Sequence, residues 1–390
     1  MMKSLLFLAS LFLLSTHLAE SNFAPERGRL APEGVATNSL MKKMTIQSLV
    51  DRARTKFSAE GFVFNLEVDY FDYSAWASPD LTSVRGLKAP RDIDESILIH
   101  TPYDMIITTE KILDTSTEAG LDVELAVKVR KLAESGEGGT LPVGFGEHAV
   151  FTWWLAREGE RVRKTLMKDG WSLDDLTFLQ LYILDLQQNL IPSIYTTPVF
   201  LDSSSLDLIF PTDPETCLSA ETKYNDAKTN AEARREISYL RQAARIGYDA
   251  LENSLRGQKI TWETYLWSWM VVDSRFWELD VDAPPLTHKL FYADEVDNDI
   301  MFHMAPIHDL VNFGDETNIA YYEYSNVTNS LPSVKLEKRG FTLYAEELRR
   351  KGDEVYFYYQ DNCREYFEVH YGFSDIVINS KNCSWDFQNN

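Results

Sequence analysis

The feature that most constrains this chain is a change of hydrophobic period in its middle, where strand-like segments on both sides enclose a long helix-like block. On the amino-terminal side, Ile46 to Phe57 reads as a short amphipathic helix and Phe62 to Tyr70 alternates as a strand. Arg85 to Thr109 reads as two strands around a turn, because β-branched and large apolar residues gather at Ile97 to Ile99 and Met105 to Ile107, bounded by Pro and Asp. The block that follows has helical spacing at Leu121 to Leu132 and at Ala149 to Ala156. Leu173 to Leu190 forms an amphipathic helix opened by a Ser172 cap, and Ala220 to Leu255 is a charged helix whose apolar stripe is Tyr224, Ile237, Leu240, Ile246 and Leu251. Ile260 to Trp277 places Trp262, Tyr265, Leu266, Trp269, Met270 and Phe276 on one face, a core-packing stripe. Strand patterns return at Asn318 to Tyr324, Ser333 to Ala345 and Glu354 to Tyr359, before a short helix at Arg364 to His370. Neither β portion is large enough to bury a core alone, so the order predicts one α+β domain whose β-rich part is split by a helical insert. The expected boundaries are 51–120 and 281–375 for the two β-rich parts, 121–280 for the insert and 376–390 for a short tail.

Charge and cysteine content remove several function classes. The 390 residues carry 60 acidic and 38 basic side chains, a net charge of −22, which leaves no basic excess to neutralise phosphates and excludes nucleic acid as a partner. A basic protein segment suits such a surface, because opposite charge raises association rates. With 13% aromatic residues the chain has the apolar surface to fold, which excludes a disordered or low-complexity reading. The three cysteines Cys217, Cys363 and Cys383 make neither a disulfide scaffold nor a CxxC zinc site, and at most Cys363 and Cys383 pair. His303, His308 and Asp309 lack the spacing of a metal site, so no metal is expected. No GxSxG or P-loop pattern occurs.

The amino terminus reads as an address. Met1 to Ser21 has a lysine, the apolar run Leu5 to Leu14 and small residues Ala19 and Ser21, as in a secretory signal peptide. No later apolar run is long enough to span a bilayer, so no membrane association is expected after its removal. Asn22-Phe23-Ala24-Pro25 resembles the junction of proteins imported into complex plastids of algae, and 22–50 partly fits a transit segment, with Arg27, Arg29, Lys42 and Lys43 outnumbering Glu26 and Glu33. The alternative destination is the secretory pathway, with Asn326 and Asn382 as candidate glycosylation sites in Asn-x-Ser/Thr tripeptides.

The carboxy-terminal third carries an ordered set of motifs: Thr261 to Trp267 leading into Asp273-Ser274-Arg275-Phe276, then Ala305 to Phe313, then Gly352 to Tyr359, then Glu365 to Phe373. With Arg85-Gly86-Leu87-Lys88-Ala89-Pro90-Arg91-Asp92-Ile93, this order resembles SET-domain protein methyltransferases of the Rubisco large-subunit lysine methyltransferase type. The resemblance covers about residues 80–375 and implies a split SET domain with a helical insert. The usual large carboxy-terminal helical substrate-binding domain has no counterpart after Phe373, so Rubisco itself is not the expected substrate. The implied reaction is transfer of a methyl group from S-adenosyl-L-methionine to a protein side chain, lysine first and histidine second.

Residue by residue, the resemblance implies that Arg275 and Asn312, with Phe313 and the backbone of Arg85, Gly86 and Leu87, hold the cofactor. Ser274 and Asp309 would face the substrate amine, and Tyr359 would lie beside the transferring methyl group as the catalytic tyrosine. The chemistry suits these types: an in-line displacement depends on alignment in a dry channel, and a lysine of free pKa near 10.4 loses its proton more readily when desolvated. The pattern also departs from the family. Phe313 stands where the family has histidine after Asn312, Gln360 and Cys363-Arg364 replace the glycine and the Ser-Asn pair after the tyrosine, and Val84 replaces the first glycine of the amino-terminal turn. The alternative is therefore a catalytically degenerate SET-fold chain that acts as a protein-binding module. Without the resemblance, Tyr359 reads as a strand aromatic, Asp309 and Asn312 as an Asx turn, and Arg275 as a surface partner of Asp273 or Glu278.

Overall fold

The computed structural model describes residues 39–72, 84–94, 96–114, 116, 145–194, 197–213, 227–255, 260–280, 300–313, 321–325, 340–345, 348–357 and 364–372. The first helix, α1 (Ser39–Phe57), starts well before the expected Ile46. Its stripe of Thr45, Ile46, Leu49, Val50, Ala53 and Phe57 is buried, at helical spacing, against the helix α4 described below. The boundary expected at residue 50 thus falls inside a packed helix, because Ile46, Leu49 and Val50 fill the core on the near side of it. Ile46→Val is expected to cost about 0.5–1.5 kcal/mol in urea unfolding.

The expected strand at Phe62 to Tyr70 is two: β1 (Val63–Phe64) and β2 (Glu67–Phe71). The break is at Asn65, whose backbone N–H donates to Leu98 O at 2.9 Å and whose Nδ2 donates to Ile97 O at 2.8 Å, so the chain leaves one sheet and enters another. Three strands follow, β3 (Val84–Lys88), β4 (Ser96–Pro102) and β5 (Ile107–Thr108), then the short helix α2 (Thr109–Leu113).

The middle of the chain is helical, with α3 (Phe145–Leu166), α4 (Phe178–Ile194), α5 (Ser203–Ile209), α6 (Ala227–Leu255) and α7 (Trp262–Arg275) among the described residues. Its expected helix at 121–132 lies outside the described residues. Ser172 does cap, but it caps a single 3-10 turn over Leu173–Asp175. The start of α4 proper is held by a second reciprocal pair, Gln180 N–H to Thr177 Oγ1 at 3.3 Å and Thr177 N–H to Gln180 Oε1 at 3.0 Å. α7 departs most from its pattern. Beyond the expected stripe, Trp267, Ser268, Val271, Val272 and Ser274 are also buried, because α3, α4, α6 and the last helix all pack around it.

The chain then returns to strand at β6 (Trp277–Asp280), which pairs antiparallel with β7 (Ile300–Met304). β6 thus lies just before the expected boundary at residue 281. β8 (Asn312–Phe313), β9 (Tyr321–Ser325), β10 (Gly340–Ala345), β11 (Glu354–Phe357) and α8 (Arg364–Tyr371) complete the order. Among the described residues the strands make three small sheets, β1-β4-β10-β9, β2-β3-β11-β8 and β5-β7-β6, antiparallel except for β8 beside β11. A continuous apolar core joins the helices to these sheets, with Trp153, Trp154, Trp269, Tyr182 and Phe151 among its largest members. No helix among the described residues is long and apolar enough to cross a membrane.

Candidate functional site

Two strands distant in sequence meet beside β3. In the β2-β3-β11-β8 sheet, Gly86 lies opposite Asp69, Leu87 opposite Val355, and Asn312 opposite Tyr356 on the parallel side. Asn312 Nδ2 donates to Arg85 O at 2.8 Å and to Glu354 Oε1 at 3.0 Å, while Tyr356 OH donates to Glu354 Oε2 at 2.8 Å. Arg85, Gly86 and Asn312, expected to share one pocket, are thus brought together, and Leu87 is fully buried between them and the core. A Cβ on Gly86 would overlap Glu354 Oε1 and come to 2.7 Å from Asn312 Nδ2 and 3.0 Å from Phe71 Cδ2. Gly86→Ala is therefore expected to cost about 1–3 kcal/mol by thermal unfolding, with the Asn312 and Glu354 side chains displaced.

The Arg85 side chain points the other way, toward α4, where it makes a buried ion pair with Asp185. Burial alone would disfavour its charge, yet Asp185 and, further off, Asp309 outweigh that and hold it firmly cationic. Lys42 of α1 lies near the same pair, its pKa lowered by burial and by Arg85.

One turn earlier on α4, Tyr182 OH donates to Asp309 Oδ2 at 2.6 Å. Burial pushes the Tyr182 phenol well up, and the Asp309 charge adds to it, so Tyr182 remains a donor at any working pH. Asp309 is 4% exposed, and its second oxygen, Oδ1, is buried with no hydrogen-bond partner among the described residues. Burial raises its pKa, while Arg275, the Tyr182 bond and Arg85 pull the other way. The backbone leading into Asp309 is strained: Ile307 has φ +79°, a left-handed conformation unfavourable for a β-branched side chain.

Arg275 ends α7 half-buried, and its charge lowers the pKa of both Asp309 and Tyr182. Its Nε is buried without a hydrogen-bond partner among the described residues. The Ser274 hydroxyl is buried and donates to Val271 O at 3.1 Å, which leaves its oxygen able to meet a ligand only as an acceptor. Tyr359, Asn326 and Asn382 lie outside the described residues, as do Gln360 and Cys363, and of Phe313 only the backbone pairing with Phe357 is described. Among the described residues no group of His, Cys, Asp and Glu could hold a metal ion.

Sequence reasoning missed Tyr182, Asp185 and Glu354. Asp185 had a readable signal: it interrupts the apolar run Leu181-Tyr182-Ile183-Leu184-Asp185-Leu186, and a lone acid inside an otherwise buried helix requires a partner. Glu354 had none, because its role comes from the strand register.

No protein-family model matches the chain, and no curated protein matches it in sequence. Among solved structures it is similar to the SET domain of LSMT bound to lysine and AdoHcy, at 13% identity and TM-score 0.49, over 86% of this chain and 58% of that one. It is also similar to Rubisco LSMT bound to AdoMet, at 13% identity and TM-score 0.47, over 85% of this chain and 56% of that one. The chain therefore spans under two thirds of those proteins. At such distance a backbone likeness leaves the activity to be argued from the site.

Proposed function

We propose that the chain is a SET-type protein methyltransferase that moves a methyl group from S-adenosyl-L-methionine to a protein side chain, with a lysine in a basic segment as acceptor. The observation that carries this is Asp309: a buried carboxylate with one oxygen fixed by Tyr182 and the other unpartnered, flanked by charge and reached through strained backbone. A buried acceptor of this kind suits an amine N–H, because leaving it unmet costs about 1–3 kcal/mol. Nearby, the Arg85 carbonyl, Asn312 and the Glu354 carboxylate converge over Gly86, where the missing Cβ leaves room for the Asn312 and Glu354 side-chain ends.

In this reading Asp309 Oδ1 accepts an N–H of the acceptor amine and aims its lone pair, and Ser274 offers a second acceptor. The dry surroundings favour the neutral amine. The ammonium loses its proton to solvent as the side chain is desolvated on entry, so Asp309 stays ionised and Oδ1 remains the acceptor of the amine N–H. The cofactor, when bound, supplies an electrophilic methyl group on sulfur. By the motif match, Arg275, Asn312, Phe313 and the backbone of Arg85, Gly86 and Leu87 would hold it, and Tyr359 would lie at the point of transfer. A complex plastid is the proposed destination, on the sequence of the amino-terminal segment alone.

One observation favours the second reading, a protein-binding module. The space over Gly86 is filled by the chain's own Asn312 and Glu354 side chains, which bond to each other. Calorimetric titration of S-adenosyl-L-methionine and S-adenosyl-L-homocysteine into the chain from residue 22 separates the two. Saturable binding, followed by transfer of labelled methyl to lysine-containing basic peptides and its loss in Tyr359→Phe, is the expected result. Absence of binding up to about 1 mM, the weak end of the affinity scale, would leave the protein-binding reading.

A further inference from the structure

Four helices of the molecule meet at a buried group of ionisable side chains that the proposed reaction does not use. His370 of α8 and Asp273 of α7 are in hydrogen-bond contact, Nδ1 to Oδ2 at 2.7 Å. His370 Nε2 lies 3.6 Å from Glu236 Oε1 of α6, and His148 Nε2 of α3 lies 3.9 Å from Asp273 Oδ1. His370, Glu236 and His148 are all more than nine-tenths buried. Tyr366 stacks on the His370 ring at 4.2 Å, and Trp269 lies on His148 at 4.0 Å, so aromatic faces close the group on both sides. Asp273 directly precedes Ser274 and Arg275 at the end of α7.

We propose that His370 is a positioning residue: by bridging Asp273 and Glu236 it fixes the end of α7, and hence Ser274 and Arg275, only while its imidazole carries a proton. The proposal rests on the reading of Ser274 and Arg275 as parts of a methyltransferase site.

The surrounding charges give the sign. Burial alone would strip the proton from His370, but the Asp273 charge, the Asp273 hydrogen bond and Glu236 together outweigh it and lift its pKa above the usual histidine value. Burial pushes Glu236 up to about 7, against the pull of His370 and with Asp273 adding to the rise. Burial drives His148 down to about 4, so it faces Asp273 as a neutral ring. Tyr239, one turn along α6, is lifted to about 12 by burial and Glu236 and stays neutral. The group that changes charge near neutrality and touches α7 is therefore the His370 pair with Glu236. Because the folded pKa of His370 is raised, its proton is fully held below the unfolded value near 6.5 and is lost as pH rises through the folded one; below about 7 it faces the ionised Asp273 and a neutral Glu236 carboxyl, so the Asp273 bond carries the charge.

The test follows the ε1 carbon shift of His370 and the backbone amide shifts of Ser274 and Arg275 through pH 5 to 9, together with the affinity for S-adenosyl-L-homocysteine. The amides of Ser274 and Arg275 should move with the same midpoint as His370, and the affinity should weaken about fivefold or more across it, the lower end of coupling between sites. Glu236→Gln removes one acid without changing size and should shift both midpoints down together. His370→Asn places an amide where Nδ1 was and should make shifts and affinity flat with pH. Amides that stay still while His370 titrates, or an affinity in His370→Asn that keeps the wild-type pH dependence, would overturn the proposal. If the cofactor product binds at no pH while the amides still follow His370, the methyltransferase reading fails and the mechanical coupling stands.

Discussion

Asp185→Ala is expected to destabilise the chain by about 3–5 kcal/mol in urea unfolding at pH 7, the usual cost of leaving a buried charge without its partner. The partner is Arg85, 8% exposed on β3 and reaching across to α4. Its remaining neighbours, Asp309 and Tyr70, act on it only through space, so neither replaces the lost ion pair. Removing both charges together is a different matter. Arg85→Met with Asp185→Leu fills the same volume with apolar atoms and should return the stability to within about 1 kcal/mol of the parent or above it. A loss below about 1 kcal/mol for Asp185→Ala would mean that Arg85 can turn to solvent and that α4 is not clamped to the sheet at this point. The clamp also matters for the site: the Arg85 carbonyl holds Asn312 while its side chain holds α4, so one residue joins β3 and β8 to that helix. Helix α4 in turn joins both sides of the site, since Tyr182 grips Asp309 and Asp185, three residues on, grips Arg85.

Much of this architecture was legible because period and capping are local. The α7 stripe, the Ser172 cap and the strands at Ile97 to Ile99 and Glu354 onward follow from residues within a few positions of one another. What could not be read is set by partners distant in sequence. Asn65 ends β1 because it bonds Ile97 and Leu98, which only the β1-β4 register places beside it. α7 is buried well beyond one face from Tyr265 to Val272 because four helices pack against it, while its own pattern shows one apolar face. The site divides in the same way. Arg85, Asn312 and Asp309 were named from an ordered set of motifs, and the structure joins Asn312 to Arg85 directly. Tyr182 and Glu354 act only through contacts made by folding, and His370 meets Asp273 and Glu236 from separate helices, so no spacing in the sequence announces that group.

Asp309→Asn is expected to separate stability from function. The amide keeps the shape and still accepts from Tyr182, but it removes a carboxylate that burial makes costly to ionise. The folded pKa of Asp309 is raised. Its favourable contribution is therefore present below the unfolded value near 3.9 and is lost as pH rises through the folded value, where the charge has to form in a dry site. The variant should then be at least as stable as the parent at pH 7, and the difference between the two should grow with pH from about 4 upward before levelling off. Activity should go the other way. Without a charged acceptor for the amine, kcat/KM for methyl transfer should fall about 10- to 100-fold, the loss that follows removal of a hydrogen bond to a charged group. Such opposed effects are what a functional group held against its own solvation produces. A variant that unfolds at clearly lower urea than the parent at pH 7 would show instead that Arg275 and Arg85 bind the carboxylate tightly enough to make Asp309 a structural ion-pair member. In that case the unpartnered Oδ1 would no longer mark the place of the acceptor amine.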